Sequence, residues 1–200
     1  MQLLDRLLRQ RETRRRRLRV RASPHGMQAA GLLRSPSALA QLSDDDAVTV
    51  VAYMQLRRFS RGEAIVREGD DASGGQGFMA LVVEGEVTVE SQLMHRAQPL
   101  TVNVLGPGEV LGEMALLDGD ARSASCTAST DVTCAVLTRE ALETLIAEQP
   151  ATAAKLMTAI AGRLAERLRE SGQKLQVYAR LVQTLQQQID TLMPTPDRRK

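Results

Sequence analysis

The sequence predicts a mainly β domain with flanking helices, and three observations lead there. Between Phe59 and Thr138 the apolar residues come in short runs broken by glycine, as in an antiparallel sandwich or a roll that closes on itself. On either side the apolar period becomes helical, from the acid-rich residues 43–46 onward and again from Thr138. Hydrophobic residues make up 43% of the 200 positions but aromatic ones only 2%, so the core has to be Val, Leu, Ile, Ala and Met.

Residues 1–21 hold nine arginines against Asp5 and Glu12, a balance of +7, so the remaining chain is acidic by five charges. The net charge of +2 is therefore a property of the tail, and the rest should have no general affinity for nucleic acid. Leu3, Leu4, Leu7 and Leu8 recur at helical spacing, so this segment is either a helix with one apolar edge or a basic arm. A solvated arm is the expected state, with docking to acidic lipid, nucleic acid or an acidic partner as the alternative. Pro24, Gly26, Gly31 and Pro36 make residues 23–37 read as a linker or broken short helices, so residues 1–35 form arm and linker.

Ser43 followed by Asp44, Asp45 and Asp46 is a strong helix start, with a capping hydroxyl and acids in the first turn. Strand-like runs follow at 64–67, 78–83, 87–90, 101–105, 123–128 and 132–137, separated by glycine turns at Gly62, Gly69, Gly85 and Gly106–Gly108. Residues 73–77 look like a small insertion and 91–99 like a long connection. A helix over 139–148 ends at Pro150, closing a domain that spans 36–150. From there Leu164, Leu168, Leu175, Tyr178, Val182, Leu185, Ile189 and Leu192 follow steps of three and four, with Ser171 in the one missing place. That is a heptad seam of ~43 Å within a long helix over 151–193, and a homodimer through this helix is expected. Residues 194–200 form a basic tail.

One stretch implies a ligand: residues 111–125, LGEMALLDGDARSAS. Gly112 permits close backbone approach, and Glu113–Leu117 reads as one helical turn whose first N–H groups lack partners within the helix. Arg122 follows five residues later with a planar fork suited to phosphate. Met114 and Ala115, with Leu116 and Leu117, supply an apolar floor. Taken alone, Glu113 and Arg122 also fit a surface ion pair worth ~0–1 kcal/mol.

Together these residues resemble the phosphate-binding cassette of the cyclic nucleotide-binding domain family, which includes the catabolite activator protein and protein kinase A regulatory subunits. The resemblance reaches from about Leu39 to Leu168. It implies a double-stranded β-helix (jelly roll), with Glu113 accepting the ribose 2′-hydroxyl, Arg122 holding the cyclic phosphate and Ser123 near phosphate or base. The position before the arginine, frequently proline in the family, is Ala121 here. On the lid helix, Arg167 and Leu168 stand where bacterial members often have small hydroxyl residues. The ligand that the resemblance implies is cyclic AMP or cyclic GMP, and these two positions, which depart from the adenine-reading pattern, leave a guanine or a larger cyclic dinucleotide open.

Other chemistry finds little support in the residues. Cys126 and Cys134 lack metal-ligand spacing and read as buried free thiols, while His25 and His95 stand alone. No nucleophile with a base and no carboxylate pair suggests an enzyme, and no metal or cofactor is expected. No apolar run approaches the ~20 residues of a membrane span, so a cytoplasmic protein is expected. The eight residues after Leu192 are too few for a helix-turn-helix. Signalling through a protein partner is therefore expected rather than sequence-specific DNA binding, and a dimeric scaffold without ligand is the alternative.

Overall fold

Eight strands form two antiparallel sheets in a computed structural model of the chain, which describes residues 2–73, 76–91 and 100–192, with side chains within 10–73, 76–91 and 103–189. The strands are β1 (Gln55–Phe59), β2 (Ala64–Val66), β3 (Phe78–Glu84), β4 (Val87–Ser91), β5 (Leu100–Leu105), β6 (Val110–Leu111), β7 (Ser125–Ala128) and β8 (Val132–Thr138). One sheet has the order β1-β8-β3-β6 and the other β2-β7-β4-β5. Each strand thus neighbours the one equally far from the other end, β1 with β8, β2 with β7, β3 with β6 and β4 with β5. A long hairpin rolled over itself gives this pairing, so the expected jelly roll is present.

The roll core consists of short side chains, among them Val82, Val87, Val132, Ala80, Ala128, Cys126 and Cys134. Both cysteines are buried free thiols, and burial pushes the Cys134 thiol up to about 12. Alternation along β3 sends Ala80 and Val82 into this core and Met79, Leu81 and Val83 to the other face, where they too are fully buried. Helices cover that second face. Of these, α2 (Pro24–Leu33) buries Ala29, Ala30 and Leu33, and Gln28 donates Nε2 to the Val83 carbonyl at 3.3 Å. Strands β1 and β6 were not expected. Gln55–Phe59 carries two arginines and is mostly exposed, and Val110–Leu111 is only two residues long.

The N-terminal segment departs from the solvated arm. It is a helix, α1 (Gln2–Ala22), whose inward residues Thr13 and Val20 are buried. Tyr53 donates its hydroxyl to Glu148 Oε2 at 2.7 Å and lies 3.2 Å from Thr13 Oγ1. The Arg16 guanidinium stacks 4.9 Å above the Tyr53 ring and lies 3.7 Å from Glu148. Burial, helped by Glu148, raises the Tyr53 pKa to about 12. Asp45 pairs with both Arg17 and Arg21. The packing surface of α1 is thus polar, and distant residues satisfy it. Of the two readings of 23–37, the structure shows a short helix rather than a linker, because Pro24 opens α2, Ser23 caps it, and the helix buries an alanine-rich face.

Helix α3 (Asp44–Val51) starts as expected, capped by Ser43. Asp46 is buried, and it receives Thr152 Oγ1 at 3.1 Å and Lys155 Nζ at 2.7 Å. Burial works against its ionisation, but the bonds from Lys155, Ser43 and Thr152 outweigh it and hold the carboxyl below its ordinary range. These two donors open α6 (Pro150–Leu192), which follows α5 (Arg139–Glu148). The chain divides into one unit over Met1–Ile160, which takes in α1 and α2, and another over Ala161–Lys200. In the second, Leu168, Leu175, Tyr178, Val182, Leu185 and Ile189 are all exposed, as are Val177 and Leu181. The side chains of Leu3, Leu4, Leu7, Leu8 and Leu192, the connection over 92–99, Gly74, Gly75 and the tail from 193 lie outside the described residues. Among the described residues no helix is long and apolar enough to cross a membrane.

Candidate functional site

The chain leaves β6 at Leu111, turns at Gly112 and enters α4 (Glu113–Leu117). Gly112 has φ +76, and a Cβ there would lie 2.6 Å from Arg122 Nη1 and 2.7 Å from the Phe78 carbonyl oxygen. Any other residue would have to strain its backbone and displace the guanidinium. A second close approach lies nearby, where a Cβ on Gly77 would collide with the Ala115 carbonyl. The entry to β3 and the helix α4 are thereby held backbone against backbone.

Arg122 is fixed at both ends. Its N–H donates to the Asp70 carbonyl at 3.0 Å and its carbonyl accepts from Gly69 N at 2.8 Å, tying the cassette to the turn after β2. Its side chain crosses to β3, where Nη1 donates to Phe78 O at 3.1 Å and Gly112 O at 3.2 Å, and Cζ sits 4.4 Å above the Phe78 ring. Only 7% of the residue is exposed. Burial lowers its pKa, opposed through space by Cys126, Asp70 and Glu113. The two bonds of Nη1 end on neutral carbonyls, and an arginine fork has three further N–H groups on Nε and Nη2. A guanidinium stripped of water and anchored this way favours an anion in the same low-dielectric setting.

The other expected site residues divide. Glu113 is 4% exposed at the start of α4, and its carboxylate contributes to the field at Arg122. Ala115 and Leu116 are buried, whereas Met114 and Leu117 are exposed, so the apolar floor is narrower than four residues. Ser123 is exposed beside Arg122. Arg167 stands on the exposed helix of the second unit. Sequence reasoning missed the roles of Phe78 and Asp70, which bond Arg122 from 44 or more residues away, and of Gly77, which packs on the Ala115 carbonyl. Two clefts, of about 500 and 300 Å³, lie along α1, the first lined by Thr13, Arg14, Arg17 and Gln149 and the second by Arg16, Val20, Met54 and Leu56. Among the described residues no group of three side chains is arranged to hold a metal ion.

Comparison with known proteins agrees with this geometry. Residues 56–149 match the model of the cyclic nucleotide-binding domain. The chain is 32% identical over 124 residues to human cGMP-dependent protein kinase 2, covering 62% of this chain and 16% of the kinase. It is 36% identical over 138 residues to the cyclic AMP receptor protein of Thermus thermophilus, covering 69% of this chain and 60% of that protein. A crystal structure of a cyclic nucleotide-binding domain from Methylobacillus flagellatus superposes with a TM-score of 0.65 at 28% identity, over 76% of this chain and 82% of that one. The chain thus spans less than two thirds of either curated relative, 16% of the kinase and 60% of the Thermus receptor.

Proposed function

Because the chain carries a domain of the cyclic nucleotide-binding family, we infer that it is a receptor for a cyclic nucleotide, cyclic AMP or cyclic GMP, and not an enzyme. The supporting observation is Arg122, a buried guanidinium anchored on Phe78 and Gly112 at the position the family uses for the cyclic phosphate. In this reading Nε and Nη2 grip two phosphate oxygens, Glu113 accepts the ribose 2′-hydroxyl, and Gly112, Met114 and Ala115 form the wall along the sugar. Ser123 and, by resemblance alone, Arg167 act toward phosphate and base. The names of the relatives support both ligands, cGMP for the kinase and cyclic AMP for the Thermus receptor.

The output proposed is a helix-paired homodimer that signals through a protein partner. Six large apolar side chains spaced along one seam of α6 are exposed in the single chain, and a second parallel copy would cover them. Ligand can bias the helix arrangement only by its difference in affinity for the two states. Titration calorimetry with cyclic AMP, cyclic GMP and cyclic di-GMP tests the receptor reading. Saturable heat with one of the first two is expected, and no heat with any of the three would overturn it.

A further inference from the structure

Along one row of the β1-β8-β3-β6 sheet the helical cover runs out. Leu81 on β3 pairs with Ala135 on β8, and Ala135 pairs with Leu56 on β1, so the three share a face. It is the face away from the roll core, since Cys134 and Val136, on either side of Ala135, belong to that core. Leu81 and Ala135 are 0% and 1% exposed, whereas Leu56 on the edge strand is 49% exposed. The gap over Leu56 is the cleft of about 300 Å³, walled by Val20 of α1 and by Val51, Ala52 and Met54 where α3 ends. Arg16 and Arg19, three residues apart on α1, line it on the same side as Val20.

We propose that this cleft binds a small aliphatic carboxylate, a medium-chain fatty acid, with its head on Arg19 and its chain over Leu56 and Met54. The lining selects that class. It has no aromatic ring to stack on a base, and its polar side chains are the two arginines and Ser23, whose hydroxyl already accepts from Gly26 N–H at 3.2 Å. A sugar or nucleotide would leave its hydroxyls unmatched there, while a methylene chain needs only apolar surface. Charge selects the head group. Arg16 faces Glu12 at 3.6 Å and Glu148 at 3.7 Å and stacks on Tyr53, whereas Arg19 is exposed and makes no ion pair with the described residues. No acidic side chain lines the cleft. One uncompensated guanidinium matches the single charge of a carboxylate better than the nearly double charge of a phosphate monoester. The volume lies at the low end for small-molecule sites, which suits one chain and not the paired chains of a membrane lipid. None of the lining residues belongs to the cassette, so the proposal stands apart from the receptor reading.

The test is titration calorimetry of the full chain with decanoate, kept below the concentration at which it forms micelles. Saturable binding is expected. Arg19→Gln should weaken it by about tenfold or more, through loss of a charge-assisted bond, and Leu56→Gln should weaken it by removing the floor under the chain. Both residues are exposed, so the melting temperatures should match wild type. Arg57→Gln removes an exposed arginine of the same strand outside the cleft and should bind decanoate as wild type does. Arg122→Leu should also bind it normally, so failure of the cassette reading and failure of this one are distinguishable. The proposal is overturned if decanoate gives no saturable heat, if decanol binds as tightly as decanoate, or if either cleft variant binds as well as wild type. Loss of binding in Arg122→Leu would move the fatty acid to the cassette and overturn it as well. No decanoate heat, together with a smaller sedimenting species in Leu56→Gln, would give the cleft to a second copy of the chain instead.

Discussion

The cassette and helix α1 both depend on arginine, and they use it in opposite ways. Arg122 is a single cation with 7% of its surface exposed, fixed by two carbonyls, a ring and its own backbone. Seven arginines crowd residues 11–21 of α1, and all are exposed or half-buried, their charge satisfied by acids at the rim or by water. The buried cation has lost its hydration, so one partner changes its free energy by much more than any partner changes that of a surface arginine. Arginine count therefore marks exposed surface charge, while burial marks the one arginine whose position the fold fixes.

The largest effect expected from breaking this contrast is on stability. Deleting residues 1–22 removes the packing of Thr13 and Val20 and strips Tyr53 and Glu148 of Thr13 and Arg16. A loss of about 3–5 kcal/mol is expected, which calorimetric melting would show as a fall of ~10 °C. An unchanged melting temperature would mean that α1 contributes only charge. The sequence alone supports that opposite outcome, since it reads the segment as a solvated arm.

Next comes the pH dependence of the α3–α6 tie. The folded Asp46 carboxyl lies below its ordinary value of 3.8, so its contribution is fully present above that pH and is lost as pH falls through the lower folded value. Asp46→Asn should cost about 1–3 kcal/mol near neutrality, measured by urea unfolding, and the gap to wild type should close in strong acid. A gap that stays constant with pH would remove the ion pair from the account.

The smallest effect on the first unit should come from the seam of α6. Leu185→Glu places like charges opposite each other in the proposed helix pair, so sedimentation should report a monomer with the roll still folded. A dimer that persists would place the pairing surface elsewhere.

Much of this was legible where the signal is local. Gly112, Glu113 and Arg122 stand within eleven residues, the turns coincide with the glycines, and Ser43 with its three acids opens α3. Features whose partners lie far away in sequence were not legible. The inward face of α1 includes Thr13, Arg16, Arg17 and Val20, which has no apolar period because Tyr53, Glu148 and Asp45 satisfy it from 28 to 135 residues away. In the same way Phe78 reads as an ordinary strand residue until the fold brings its carbonyl and ring to Arg122. Pro24 and the glycines after it read equally as a linker or as broken short helices, and the buried face that decides for a helix becomes visible only in the fold.

The central claim is that Arg122 holds a cyclic phosphate, and ligand-induced thermal stabilisation of wild type and Arg122→Leu tests it most directly. With cyclic AMP or cyclic GMP at ~100 times Kd, wild type should gain about 2.7 kcal/mol, or roughly 5–10 °C, while Glu113→Gln keeps part of the gain at the same concentration. Arg122→Leu, folded but without the guanidinium, should show almost none. A leucine variant stabilised as much as wild type would contradict the account, because the phosphate would then be held elsewhere.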